Sequence, residues 1–320
     1  MEGDEMTLDR AEVRRCFERG VGWVLTNAER LSPDARVAAL AGLLLADPAQ
    51  AEEAGSRLRG RREVRLSAAG KLLDLLTLGM VGRRLRERRR RANAFFALIE
   101  RAPGPCARPD LDSFQHVPDP LPARLEELHG IDGARSNAAL TQASHGRFEA
   151  PVLAWMHRDD RWGYDLAHQL LAWVVCLKAG HRPDEARATA GRLAWRLFHE
   201  VRLSPLPVHY DLVAERIAFL ALAGFPLERL ADGFRLILAA QDREDGGWWF
   251  TRDPADQAAM LEQAHLGASP LAKPAKPWRD QPDAEAVRRR LEGIHRGHAT
   301  GLSLWALGLW LAGAPEDATL

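Results

Sequence analysis

An all-α fold built of stacked helical hairpins is what this sequence predicts, and three observations predict it. Apolar residues recur at helical spacing over most of the chain, and no alternating strand pattern competes with them. The helical runs are punctuated by short Gly/Pro breaks such as Gly180-His181-Arg182-Pro183-Asp184, Ser204-Pro205-Leu206-Pro207 and Gly224-Phe225-Pro226. Breaks this short join antiparallel neighbours. A motif is also written twice: Tyr164-Asp165-Leu166 and Tyr210-Asp211-Leu212 stand 46 residues apart, each opening a long apolar run. Repetition at that period marks stacked supersecondary units, here a pair of helices.

Taken in order, residues 8–31 read as an amphipathic helix with Val13, Phe17, Val21, Val24 and Leu25 on its apolar side. Ser32-Pro33-Asp34 stops it and starts the next, since Ser or Asp caps a helix and Pro suits its first turn. Residues 34–46 are Ala- and Leu-rich, and 48–59 form a short polar helix. Residues 67–102 read as one long helix, with breaks expected near Gly79 or Gly82. It carries the run Arg83-Arg84-Leu85-Arg86-Glu87-Arg88-Arg89-Arg90-Arg91, which reads either as a nucleic-acid or phosphate patch or, since no aromatics interleave the charge, as a solvated face. Residues 103–120 are a proline-rich boundary, 120–130 a short helix and 131–160 mixed. Helices then fall at about 163–180, 184–202, 208–223 and 227–241. A turn occupies 242–250, an irregular insertion 251–296, and a final buried helix 298–313. The expected organisation is a single all-helical domain, with hairpins over 1–130 and the site-carrying portion over 131–320.

Composition narrows the function classes. The 44 Lys and Arg balance 44 Asp and Glu, so no global field favours nucleic acid. No uninterrupted apolar stretch reaches 18 residues, and residues 1–20 lack the apolar segment of a secretory leader. Cys16, Cys106 and Cys176 are widely spaced with no CxxC pair, as expected of reduced thiols in a cytoplasmic protein. Neither a Walker-type nor a dinucleotide-binding glycine loop occurs.

The chemistry-bearing residues gather at helix openings. Asp165 and His168 share one helix face, as do Asp211 and Glu215, and a third apolar run opens at Gly297-His298-Ala299-Thr300. If these faces converge, their polar ends meet at one mouth of a helical barrel. His168, Glu215 and His298 are then the expected metal ligands, a two-His-one-carboxylate set suited to zinc, iron or copper. Asp211 and Asp245 are the expected catalytic carboxylates, and Asp165 and Asp245 the expected supports of the ligating histidines. Asp165 and Asp211 equally suit plain capping roles, and Asp245 plain turn formation.

Gln241 through Trp248 resembles the Gln…Asp-Gly-Gly-Trp turn of terpenoid cyclases and protein prenyltransferase β-subunits. His298-Ala299-Thr300, leading into Leu304-Trp305-Ala306-Leu307, resembles the His-x-Thr opening of a late inner helix in the prenyltransferases. The resemblance spans roughly residues 160–320 and implies an α/α toroid, whole or partial, with His298 as a zinc ligand. The family completes its zinc set with an Asp and a Cys. No cysteine stands near Asp245, and the acidic Asp-x-Asp-Asp motif of the class II cyclases is absent. Three expectations follow: a metalloenzyme acting on a small molecule or peptide; a metal-free cyclase- or lyase-like acid/base enzyme; or a non-catalytic helical binding protein. No nucleic-acid partner and no membrane span are expected.

Overall fold

The computed structural model describes residues 8–59, 94–106, 132–203, 209–250 and 284–314. Over these residues the chain is all-α, with no strand, only an isolated bridge between Gln241 and Trp248. The Arg83–Arg91 run, the 120–130 helix and the Pro/Lys-rich part of the 251–296 insertion lie outside the described residues.

The N-terminal helices are α1 (Arg10–Asn27), α2 (Pro33–Ala46) and α3 (Pro48–Arg59). Asp9 caps α1 by accepting from the Ala11 amide at 2.9 Å, and Pro33 occupies the first turn of α2. A helical segment over 94–101 follows. Then come α4 (Gly133–His145), α5 (Ala150–Met156), α6 (Gly163–Ala179), α7 (Pro183–Leu203) and α8 (Tyr210–Leu222). A 3-10 turn at Leu227–Leu230 leads into α9 (Ala231–Ala240), and α10 spans Ala284–Gly313. The breaks read in the sequence act as breaks: Gly180 ends α6 in the left-handed conformation at φ 73°, and Pro183 opens α7.

Two expectations need correction. The 227–241 run is not one helix, because Leu227–Leu230 winds as a tighter 3-10 turn before α9 begins. The final helix does not open at His298, which lies half-way along the 30-residue α10. Gly293 and Gly297 both lie inside the helix, although the last run was expected to open at Gly297. They are small because α10 presses there on α1 and the turn after it: an added Cβ would lie 2.9 Å from the Arg30 Cβ and 2.6 Å from Leu31 Cδ2 respectively.

The core is organised around α8 and the C-terminal half of α10, whose residues are almost all buried. Helix α10 packs on α1, α2 and α8, while α8 also meets α6, α7 and α9. The α2–α10 approach is close: a Cβ on Gly42 would overlap the Leu304 carbonyl, and one on Gly308 the Gly42 carbonyl. Arg10 donates to the Ala314 and Leu311 carbonyls at 2.7 and 2.8 Å, satisfying groups at the end of α10 that the helix leaves unpaired.

The Gln241–Trp248 turn ties three elements together. Gln241 Nε2 donates to Cys16 O on α1 and to Gly246 O, at 2.7 and 2.8 Å. Trp248 donates from its indole to Ile237 O on α9 at 2.7 Å, and from its amide to Thr300 Oγ1 on α10 at 3.0 Å. Gly246 turns the chain at φ 83°, where a side chain would also strike the Arg19 backbone. Buried amide and indole groups need such partners, so this short turn fixes the spacing of α1, α9 and α10.

Candidate functional site

The two Tyr-Asp-Leu motifs occupy matching first turns of α6 and α8, and both aspartates are buried. Their partners differ. Asp165 accepts the Asp132 amide at 2.8 Å and pairs with Arg161 at 3.4 Å, so it caps the start of α4 and does not support His168. Asp211 faces inward: its Oδ2 accepts from Tyr164 Oη at 2.9 Å, and its Oδ1 meets His298 Nδ1 at 2.8 Å. The tyrosine of the first motif thus holds the aspartate of the second.

One turn along α8, Glu215 lies fully buried beside Asp211. His168 Nδ1 stands 3.2 Å from Glu215 Oε1, but its proton is directed at the Tyr164 carbonyl, 2.8 Å away. Glu215 Oε1 is left without a hydrogen bond. His298 is held on both nitrogens, with Asp34 Oδ2 on α2 lying 3.4 Å from Nε2. One donor atom from each of Asp211, Glu215 and His298 lies within 4.8 Å of the other two. Metal–oxygen and metal–nitrogen bonds of roughly 2.0–2.2 Å require closer spacing than this.

The electrostatics follow from this crowding. Burial alone would lower the His298 pKa, but the charge and hydrogen bond of Asp211, then Asp34 and Glu215, push it up to about 10. For His168, burial is likewise outweighed, by Glu215 and the Tyr164 carbonyl, and its pKa rises. The Tyr164 phenol moves well above its ordinary value, through burial first and then the neighbouring carboxylates.

These groups stand at a cavity of about 450 Å³, and His168, Glu215 and His298 all line it. Most of the remaining wall is apolar, including Phe96, Ile99, Leu171, Phe219, Leu302 and Trp305. Asp34, Asn137 and Thr141 add polar points. The size and character match a site for a small organic molecule.

The structure therefore brings together four of the residues singled out in the sequence: His168, Asp211, Glu215 and His298. It changes their arrangement, because Asp211 takes the place in the donor set expected of His168. His168 is a cavity-lining neighbour of Glu215, since its ring turns Nδ1 back to the carbonyl one turn earlier on its own helix. Asp245 is not part of this group. It accepts the Gly247 amide at 3.1 Å, pairs with Arg296 and lines a different cavity, so the structure gives it a turn-forming role. His157 pairs with Glu185 at 3.0 Å, and His209 packs on Phe250. Among the described residues no cysteine joins the cluster, so the prenyltransferase-type zinc set is not assembled. Asp34 was overlooked as a site residue because a Ser-Pro-Asp sequence reads as a helix start; only the tertiary packing of α2 on α10 brings it to His298.

No protein-family model, curated protein or solved structure matches the chain.

Proposed function

We propose that the chain is a metal-dependent enzyme acting on a small, largely apolar molecule in the 450 Å³ cavity, with one divalent ion held by Asp211, Glu215 and His298. The observation that carries this reading is Glu215 Oε1, a fully buried carboxylate oxygen with no hydrogen bond, set beside two further donor groups. Held only by the His168 ring at 3.2 Å, that buried oxygen is incompletely satisfied, and a metal ion would complete its contacts.

The surroundings support the same reading. His298 faces Asp211 at Nδ1 and Asp34 at Nε2; to bind an ion it would release the Nδ1 proton and keep Asp34 as the carboxylate that supports its second nitrogen. Tyr164 fixes the far oxygen of Asp211, and His168 stands against Glu215. Two carboxylates and one imidazole suit zinc, manganese or ferrous iron better than copper. Bound there, the ion supplies Lewis acidity to a substrate oxygen or to a water. The protein's own part is to orient the donors, hold the apolar body of the substrate against Phe219 and Trp305, and exclude bulk water.

One observation favours a metal-free reading: His298 lies between two carboxylates with its pKa pushed up to about 10, so in the absence of an ion it is a fixed cation at the cavity wall. In that reading His298 and Glu215 do acid/base work without metal. The three free thiols fit a cytoplasmic setting, and no helix among the described residues is long and apolar enough to cross a membrane. The toroid reading is supported by the contrast between deeply buried α6 and α8 and the amphipathic α1, α7 and α9, together with the Gln241–Trp248 turn.

Cobalt titration of the metal-stripped protein separates the two readings. Visible absorption bands saturating at one equivalent, and lost in Asp211→Asn, are expected for the metal site. Unchanged cobalt spectra through the titration would leave the acid/base reading.

A further inference from the structure

A second cavity, of about 610 Å³, lies between α1, the Gln241–Trp248 turn and α10. Its lining includes four arginines: Arg19, Arg30, Arg243 and Arg296. Asp245 pairs with Arg296, as does Asp242, and Glu244 stands at the rim. Arg296 is also fixed between two indoles, its guanidinium carbon 5.3 Å from the Trp23 ring centre and 4.4 Å from that of Trp249. Arg30 and Arg243 are exposed, and neither makes an ion pair among the described residues. Four arginines against Glu244 and Asp245 make this lining more cationic than the neutral chain as a whole.

The wall holds a second, independent feature. Gly22 is an exposed glycine inside α1, a destabilising choice relative to alanine. The helix-packing glycines of this chain have a reason: a Cβ on Gly20 would strike Trp248, and one on Gly42, Gly301 or Gly308 would overlap the backbone of the facing helix. At Gly22 an added Cβ meets nothing within 4 Å. Packing does not demand this glycine; an open groove wall does.

We propose that this groove binds a phosphate-type anion, either the free ion or the phosphoryl group of a small phosphate ester, with Arg30 and Arg243 as its principal charged contacts and Gly22 as the clearance above α1. Guanidinium groups match tetrahedral oxyanions through paired N–H donors. The acids Asp242 and Asp245 hold Arg296 in place between the indoles, and so shape the groove while limiting its charge. This site is separate from the Asp211/Glu215/His298 centre and does not depend on the reading of that centre.

The test is isothermal titration of the full chain at constant ionic strength with two probes, inorganic phosphate and phenyl phosphate. Saturable one-site binding is expected for at least one of them. Tighter phenyl phosphate binding assigns the site to an ester, and equal or tighter inorganic phosphate binding assigns it to the free ion. Arg30→Ala and Arg243→Ala should each weaken binding roughly tenfold, and Gly22→Glu should abolish it. Gly22→Ala serves as a folding control, with an expected rise in melting temperature because the added methyl enters open space. Glu215→Gln should leave phosphate binding unchanged. The proposal is overturned if neither probe binds, if binding survives both Gly22→Glu and Arg243→Ala, or if Glu215→Gln removes it and so places the anion at the other centre.

Discussion

Tyr164 Oη donates to Asp211 Oδ2 at 2.9 Å in a fully buried setting, joining the first turn of α6 to the first turn of α8. The bond fixes one carboxylate oxygen and leaves the other facing His298. The repeated Tyr-Asp-Leu motif is thus more than a helix-start signal: the tyrosine of its first copy holds the aspartate of its second.

Tyr164→Phe removes only this hydroxyl. Loss of a hydrogen bond to a charged group should cost about 1.5–3 kcal/mol of folding stability. Because Asp211 would then be free to turn, metal affinity should fall about tenfold or more. Urea denaturation and competition with a chromophoric chelator measure the two effects. Unchanged metal affinity alongside lowered stability would assign Tyr164 a purely structural role.

Glu200 and Arg216 form a fully buried ion pair, and Glu200 Oε1 also accepts the Gly163 amide at 2.9 Å at the start of α6. Burial pushes the Glu200 carboxyl up, against the pull of Arg216. Glu200→Ala leaves a buried guanidinium and an uncapped helix start, and should cost about 3–5 kcal/mol. Replacing both partners by apolar residues should recover much of that loss. Urea denaturation of single and double variants tests this; an additive double variant would mean the pair is not coupled.

The α2–α10 contact depends on the absence of side chains. Gly42→Ala places a methyl into the Leu304 carbonyl and Gly308→Ala one into that of Gly42. Each should destabilise by about 1–3 kcal/mol through overpacking. Thermal melts that match wild type would show that the two helices are not as close as described.

The metal-stripped protein should lose stability with rising pH. The folded His298 pKa, about 10, lies above the ordinary value of about 6.5 expected when unfolded. The folded state therefore holds the extra proton between these values. Stability from His298 is fully present below about pH 6.5 and is lost as pH rises through about 10. The raised His168 adds a fall of the same sign as pH rises. Denaturation midpoints across this range should show the decline in wild type and a flatter curve in Asp211→Asn. A stability that rises through this window would contradict the Asp211–His298 pairing.

Much of the fold was legible because its signals are local. Pro33, Gly180 and Pro183 act within one turn of their own position, and α2 begins, α6 ends and α7 begins where these residues place them. Helix α10 was misjudged for the same reason: Gly297 looks like the start of a run, whereas its cause is the close approach of the α1–α2 turn from the other end of the chain. The site was half legible. Spacing placed Asp211 beside Glu215, but the partnership of His298 with Asp34 and the turning of His168 towards its own backbone are tertiary facts. The Gln241–Trp248 turn was recognised by its residues, while its role in bridging α1, α9 and α10 is carried by long-range hydrogen bonds that a single sequence does not display.

The central claim is that Asp211, Glu215 and His298 hold one divalent ion. Elemental analysis of protein expressed without an affinity tag, supplied with zinc, manganese and iron and then freed of loosely bound ions, tests it most directly. The account predicts close to one equivalent of a single transition metal in wild type, lost in both Glu215→Gln and His298→Ala while each variant remains helical by circular dichroism. A metal-free wild type, or full metal retention in both variants, would contradict it.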